Sequence, residues 1–591
     1  MDMYDVRKVY KEKHKEKIEA DVIIIGAGLF GGLMAYELSV QGFKVAMLDS
    51  GSVVDRVDAI DRFKKSPLKN GNSAYKKEWY APIPPETDPM SYYVQDGEGI
   101  TDPLKRVEFG ALYLRNVGGT SWHFTGHAER MYPQDFELKT AYGRGEDWPI
   151  SYSLLDPYYA KVEQAWGVSG NDTVVAPTKH PYPLPYTPLT YLDQQVNVAA
   201  TKVMDPASPH KDAIGPMPHC RNAVPYDGRP QCCGNASCRF ICPVGAKYDG
   251  SVHVFKAVDE GADLYSNHVV HHIEVNKHKK IKHIKFKNYT DPKNPVEGIA
   301  KGKVYILAAH GIESPRLLLM SKNKHAPNGV ANSSDQVGRN LMSMVGMNMW
   351  AYSPDPVYPY RGPVNATGAF WDLRNGDFRK DFASIATIVI NGGFDPTNGP
   401  LDEADAAIDE GLFGPELKDR VYTNTAAQVY FDNSVEVLPD PNNRITLDYD
   451  KLDATGLPRP KITYKIDEYT VEGVYVSWKR GWDVLRAMNC RLDKPGGKPL
   501  PKPTREYFDE LVKKDGIKSG AAMIAGTTRM GLDPATSVVD TYCRSHDHDN
   551  LFIVGTGSYV TSGSVSPSLT AAAISMRSAE YIANTYQGSK G

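Results

Sequence analysis

The chain has 591 residues, 41% of them hydrophobic and 24% charged, and a formal net charge of −3. Such a composition reads as a globular protein of roughly two to four domains. It excludes the surface-wide basic field that attracts nucleic acid or anionic membrane, which leaves a small molecule or another protein as the expected partner.

The opening twenty residues, MDMYDVRKVYKEKHKEKIEA, are heavily charged and lack the apolar run of a secretory signal. A cytoplasmic location is therefore expected unless a partner exports the chain. The longest apolar stretch, Val22 to about Val40, is broken by four glycines and Glu37, so no membrane span is expected. Within it, ADVIIIGAGLFGGLMAYELSVQGFKVAMLDS (Ala20–Ser50) reads as a buried strand Val22–Ile25, the spacing GxGxxG at Gly26, Gly28 and Gly31, a helix to Val40, a second strand Lys44–Leu48, and Asp49. Glycines let backbone approach a pyrophosphate at the helix N-terminus, and an acid about twenty residues on suits a ribose 2′-OH. A nucleotide cofactor with a free 2′-hydroxyl, FAD or NAD, is predicted.

Further along, LRNVGGTSWHFTGHA (Leu114–Ala128) joins Gly118 and Gly119 to a Trp-His-Phe segment, which suits backbone packed against a flat ring system and favours FAD. Next comes QCCGNASCRFICPVGAKYDG (231–250), where Cys232, Cys233, Cys238 and Cys242 fall close together although the whole chain has seven cysteines. Cys220, Cys490 and Cys543 have no near neighbours in sequence. The spacing CCx4Cx3C with Pro243 after the last Cys suits an iron–sulfur loop better than paired zinc knuckles, with redox or inert thiols as the remaining alternative. Two later strand–turn–helix segments, KVYILAAHGIESPRLLLM (Lys303–Met320) and Leu551–Tyr581, the latter carrying Gly555, are expected to return the chain to the nucleotide sheet.

Taken together these motifs resemble the glucose–methanol–choline (GMC) oxidoreductases. The likeness is strongest to the iron–sulfur branch that includes the catalytic subunits of bacterial FAD-dependent glucose and fructose dehydrogenases, and more distant to pyranose 2-oxidase. It rests on VGGTSWH (Val117–His123), DWPISY (Asp147–Tyr152), YDGRPQCCGNASCRFICPVGAKY (Tyr226–Tyr248), VANSSDQVGRNLM (Val330–Met342), PNNRITL (Pro441–Leu447) and GLPRPKITY (Gly456–Tyr464). The resemblance implies an α/β FAD-binding Rossmann-like domain interleaved with an α+β substrate domain built on an antiparallel sheet. Residues 18–150, 216–344 and 505–591 would form the first, with the cysteine loop at 231–248; 151–215 and 345–504 would form the second. It implies FAD and a [3Fe–4S] cluster on Cys232, Cys238 and Cys242, with Cys233 the odd one out. It implies, too, a carbohydrate substrate, a small chaperone-like subunit and a multihaem cytochrome c, and through an exported partner a periplasmic or membrane-associated location.

The family's proton acceptor is usually a His in HxxGTxxMG, supported by a His or Asn in an NPxxT-like segment. Here the first reads MIAGTTRMG (Met523–Gly531) and the second SGSVSPSLT (Ser562–Thr570), so Met523 and Ser566 occupy those positions. Ser343 and Met344 stand where relatives often carry Asp-His. A thioether accepts no proton near neutral pH, and losing a positioned base typically costs about 10²–10⁴-fold. Three explanations follow: a relocated base, with His127, His310, His546 and His548 as candidates and His310 foremost; an activated substrate; or a catalytically silent flavoprotein with an assembly or electron-transfer role. A redox enzyme with a rearranged site is the favoured one. His123 aligns with the His that carries FAD covalently in pyranose 2-oxidase; its alternative is packing between Trp122 and Phe124.

Overall fold

A computed structural model describes residues 10, 13–67, 72–83, 94–96, 103–105, 107–172, 179–203, 213–364, 367–390, 399–563 and 565–588. Much of the charged opening segment lies outside them.

Its centre is a five-stranded parallel sheet in the order Leu551–Ile553, Val304–Leu307, Val22–Ile25, Val45–Leu48, Asp263–Tyr265. Every residue of the first four strands is buried, as parallel strands covered on both faces require. Those four are the strands that the Ala20–Ser50, Lys303–Met320 and Leu551–Tyr581 segments predict; the expected strand Lys44–Leu48 begins one residue later. The helix Leu29–Val40 packs against the helices Ser251–Asp259 and Ser568–Thr585, and the latter against Tyr152–Trp166. Beside this lies a four-stranded sheet, Lys17–Glu19, Val296–Lys301, Ile281–Asn288, His268–Val275, whose buried Ile273, Ile284 and Phe286 join the same core.

The second sheet has eight strands. Seven run in the order Val107–Glu108, Ile517–Ala525, Met342–Gly346, Gln428–Val435, Ile385–Val389, Gly368–Phe370, Ile214–Pro216, and Met349–Tyr352 pairs with Gln428–Val435. All pairings are antiparallel except that of Val107–Glu108 with Ile517–Ala525. The long helix Glu468–Ala487 covers one face through buried Trp478 and Leu485. It lies close because Gly473 and Gly481 present no Cβ: a methyl at Gly473 would stand 2.8 Å from Val435, and one at Gly481 would overlap Met349 and press on Phe431 at 3.3 Å. Sheet membership crosses the expected domain boundaries. Val107–Glu108, Ile517–Ala525 and part of Met342–Gly346 come from segments assigned to the nucleotide domain, because inter-strand hydrogen bonds pair whatever the topology brings alongside. The opposite face of this sheet looks toward the nucleotide unit. Among the described residues no helix is long and apolar enough to cross a membrane.

Candidate active site

The turn after Val22–Ile25 shows why it is written in glycine. Gly26 has φ +99°, and a Cβ there would lie 2.7 Å from the Ala308 carbonyl oxygen; one at Gly31 would collide with the Gly26 carbonyl. Gly28 meets Gly119 back to back, so that a Cβ on Gly119 would sit 3.2 Å from the Gly28 Cα. Gly118, at φ +92°, packs under Trp122, whose indole N–H donates to the Val117 carbonyl at 2.8 Å. Gly555 lies against the Phe30 ring. These approaches hold two distant glycine turns together beside a cavity of about 300 Å³ that Gly26, Gly28, Asp49, Gly119, His123, His310, Met523 and Ser566 all line. Gly31, Gly118 and Gly555 stand just behind its wall.

Asp49 is buried and accepts hydrogen bonds from the Ala27 N–H at 2.8 Å and the Gly51 N–H at 3.1 Å. Burial raises its pKa against the lowering effect of those donors. Each carboxylate oxygen has a second lone pair, so Asp49 can close the turn and still accept from a ribose hydroxyl. The backbone cradle and this acceptor fit a dinucleotide: the glycines would admit its pyrophosphate, Asp49 its ribose, and the Gly118–His123 segment its ring system.

His310 occupies the left-handed region at φ +77° and stacks on Tyr113 at 4.3 Å. Its Nδ1 accepts from the Ile312 N–H at 3.3 Å, which leaves Nε2 carrying the proton in the neutral ring. Burial lowers its pKa to about 4. The expected base is thus arranged as a donor. Tyr113 donates to Glu313 at 2.5 Å, and Glu313 pairs with Arg316 at 3.2 Å, which in turn holds Asp453 at 2.6 Å.

The other histidines separate cleanly. His123 and His127 line the cavity. His546 bonds Ser537 at 2.9 Å, and His548 is held between the Lys279 carbonyl and the Ala331 N–H, both away from the cavity lining. Ser343 is stapled to Tyr464 through its own N–H and carbonyl, and Met344 is buried. Met523, on the strand Ile517–Ala525, receives a contact at 3.9 Å from the Ser434 hydroxyl. Ser434 and its neighbour Asp432, a further lining residue, escaped the motif reading because no motif marks them. The alternation QVYFDNSV, which places Tyr430, Asp432 and Ser434 on one face, is the signal that could have found them.

The cysteine loop packs against the His123 segment. Arg56 donates to the Cys242 carbonyl at 2.6 Å, Tyr75 to the Phe240 carbonyl at 2.6 Å, and the buried Lys247 ammonium to the Ser121, Trp122 and Phe124 carbonyls at 2.9 to 3.0 Å. Burial lowers the Lys247 pKa to about 8. Cys238 and Cys242 are buried, Cys232 half-buried and Cys233 exposed, so the exposed thiol is the one set aside as odd. Burial raises the Cys232 thiol pKa, and nearby Cys238 and Cys242 add to the rise. Among the described residues no three His, Cys, Asp or Glu side chains stand close enough to hold a metal ion. The donor chemistry suits soft iron or zinc; the spacing of the thiols in this structure is not that of a closed ligand set. Cys220, Cys490 and Cys543 are buried free thiols, Cys220 lying beside Gly126 and Lys247.

Comparison with known proteins gives this geometry a family. Residues 220–345 and 439–575 match the N- and C-terminal models of the GMC oxidoreductases. The chain is 36% identical over 573 residues to the fructose dehydrogenase large subunit of Gluconobacter japonicus, covering 96% of this chain and 98% of that one. It is 26% identical to 2-methyl-1,2-propanediol dehydrogenase of Mycolicibacterium austroafricanum, over 96% of both. Formate oxidase superposes with a TM-score of 0.67 over 97% of this chain and 99% of its own, at 14% identity, a likeness of fold. The two family segments, the near-full-length relative and the cavity beneath the glycine turns together make the chain a member of the GMC family of FAD-dependent oxidoreductases.

Proposed function

We propose that the protein oxidises a CH–OH group of a sugar or sugar derivative and passes the electrons to an external acceptor through an iron–sulfur cluster. The observation that carries the first half is the single cavity that runs from Gly26, Gly28 and Asp49 to Met523 and Ser566. Gly26, Gly28 and Asp49 would hold the nucleotide, and the same cavity continues to Met523 and Ser566, the two positions where the family does its chemistry. When bound, FAD supplies a two-electron hydride acceptor. The chain supplies the pyrophosphate cradle, the acceptor at Asp49 and a wall of mixed polarity at the far end.

A carbohydrate substrate is supported by the near-full-length relative, which is named a fructose dehydrogenase. The second half, a [3Fe–4S] cluster on Cys232, Cys238 and Cys242, is supported by thiolate donor chemistry and by the ties from Arg56 and Lys247 that fix the cysteine loop to the His123 segment. That relative is named a large subunit, which supports a partner subunit for this chain; a cytochrome partner and export through it belong to the same proposal.

The test is a dye-reduction screen of the purified protein against mono- and disaccharides, glycosides, polyols and aldonic acids, with iron and acid-labile sulfide measured on the same sample. Bleaching of the flavin by at least one carbohydrate supports the first half. Stoichiometric zinc without iron overturns the second. Because Met523 and Ser566 offer no imidazole, a catalytically silent flavoprotein is the competing reading, and it prevails if no carbohydrate reduces the flavin.

A further inference from the structure

The sheet that covers the reactive end of the cavity carries an acid that the nucleotide site does not use. Along Gln428–Val435 the side chains alternate. Phe431 meets Gly481 and Val435 meets Gly473 of the long helix, which places 431, 433 and 435 on the helix side. Tyr430, Asp432 and Ser434 therefore lie on the opposite face, and of these Asp432 lines the cavity. Asp432 pairs with Ile388 across the neighbouring strand, and both line the cavity. Two residues on, Ser434 reaches the sulfur of Met523. Asp432 thus stands one step along its strand from the residue that contacts the family's base position.

Three acids line the cavity, each at a different place on its wall. Asp49 holds the Ala27 and Gly51 amides, and Glu313 takes the Tyr113 hydroxyl and the Arg316 guanidinium. Asp432 is the acid on the sheet wall. Among the histidines, His310 presents a donor.

Resting on the reading that the substrate is a carbohydrate alcohol, we propose that Asp432 is the general base of the oxidation, in place of the imidazole absent at position 523. The substrate O–H bond breaks and its proton passes to the Asp432 carboxylate. The C–H bond breaks and its electron pair leaves as hydride to the oxidised flavin, and the new C=O bond forms from the alcohol oxygen. The alcohol loses two electrons, the flavin gains them, and the proton rests on Asp432 until solvent removes it. A carboxylate oxygen offers lone pairs that can take a proton, where a thioether sulfur is too weak an acceptor.

The experiment compares the FAD-loaded parent with Asp432→Asn, Asp432→Glu and His127→Gln. It measures flavin content, the rate of flavin bleaching by the carbohydrate that the parent accepts, and, by calorimetry, affinity for the corresponding lactone or ketone. Asp432→Asn is expected to slow bleaching by about 10²-fold or more, with flavin content and product affinity within about twofold. Asp432→Glu should recover part of the rate, and formate added to Asp432→Asn should rescue it in proportion to its concentration. Bleaching by Asp432→Asn within about threefold of the parent overturns the assignment, as does a loss that appears in His127→Gln instead. If Asp432→Asn fails to hold FAD, the Glu variant decides: a rate unchanged from the parent despite the longer side chain overturns it, and a large loss at full flavin content supports it. Should no carbohydrate bleach the parent, the substrate reading fails alone and the same variants are run with benzyl alcohol. A parent flavin reduced by neither class of alcohol overturns both.

Discussion

Met523 is a methionine in a place where the chemistry asks for a lone pair. Its thioether is too weak an acceptor to take a proton at neutral pH, and the Ser434 hydroxyl beside it is no better. If Asp432 serves as the base, an imaged imidazole at 523 becomes redundant in the parent and decisive in its absence. The double variant Asp432→Asn with Met523→His should therefore recover bleaching about tenfold or more over Asp432→Asn, whereas Met523→His alone should change the parent by less than that. Stopped-flow flavin bleaching measures both. Asp49 makes the second test at this scale. Asparagine there keeps one acceptor oxygen but places an NH2 against either the Ala27 or the Gly51 amide, and a donor facing a buried donor costs about 1–3 kcal/mol. Asp49→Asn should lose FAD at least about fivefold faster on gel filtration, followed by flavin fluorescence.

At the scale of elements, the helix Glu468–Ala487 holds the sheet that presents Asp432 and Ser434. Its two contact glycines leave no room for a side chain, so Gly481→Leu should destabilise by about 1–3 kcal/mol or more and lower the midpoint of thermal unfolding. An exposed position on the same helix, Lys479→Leu, serves as the control and should change little. The cysteine loop is the other element with a test of its own. Cys238→Ser should leave FAD bound, because Cys238 itself does not line the cavity, yet slow reduction of a cytochrome relative to reduction of a small two-electron dye. Equal rates with the cytochrome would remove the electron relay from the proposed function.

What the sequence made legible follows the same division. Apolar runs bounded by glycine announced four of the five nucleotide strands, because buried parallel strands need such runs and a pyrophosphate turn needs such glycines. Met523 and Ser566 were placed by motif, and the cavity joins them. Asp432 was not legible: an acid in an alternating strand is ordinary until the neighbouring strands show which face it shares. The donor state of His310 was equally hidden, since it depends on one amide, that of Ile312. The pairing of Val107–Glu108 with Ile517–Ala525 and of the latter with Met342–Gly346 was also hidden, since no motif marks which distant strands meet.

For the whole molecule, several histidines are buried neutral. Burial lowers His253 to about 3 and His310 to about 4, while an unfolded chain holds each near 6.5. The unfolded state therefore binds more protons below pH 6.5. Stability is complete above that value and falls as the pH drops toward the folded pKa values. At pH 5 each such group contributes about 2 kcal/mol of the loss. Urea unfolding at pH 7.5 and pH 5 should show the decline, and His253→Gln, which can still bond Tyr248, should show a smaller one.

The scatter of the cavity's walls along the chain sets a timetable for biosynthesis. One wall of the cavity is made early in the chain, another near residue 310, and the last at Met523 to Ser568. A ribosome that has released the first two has yet to deliver the strand and turn that close the far side, so the nascent protein waits with an open crevice. Flavin capture is thus expected to come late, with closure of the far wall. Release stalled before residue 520 should yield chains that carry no FAD, while chains extended past 570 should acquire it and keep it.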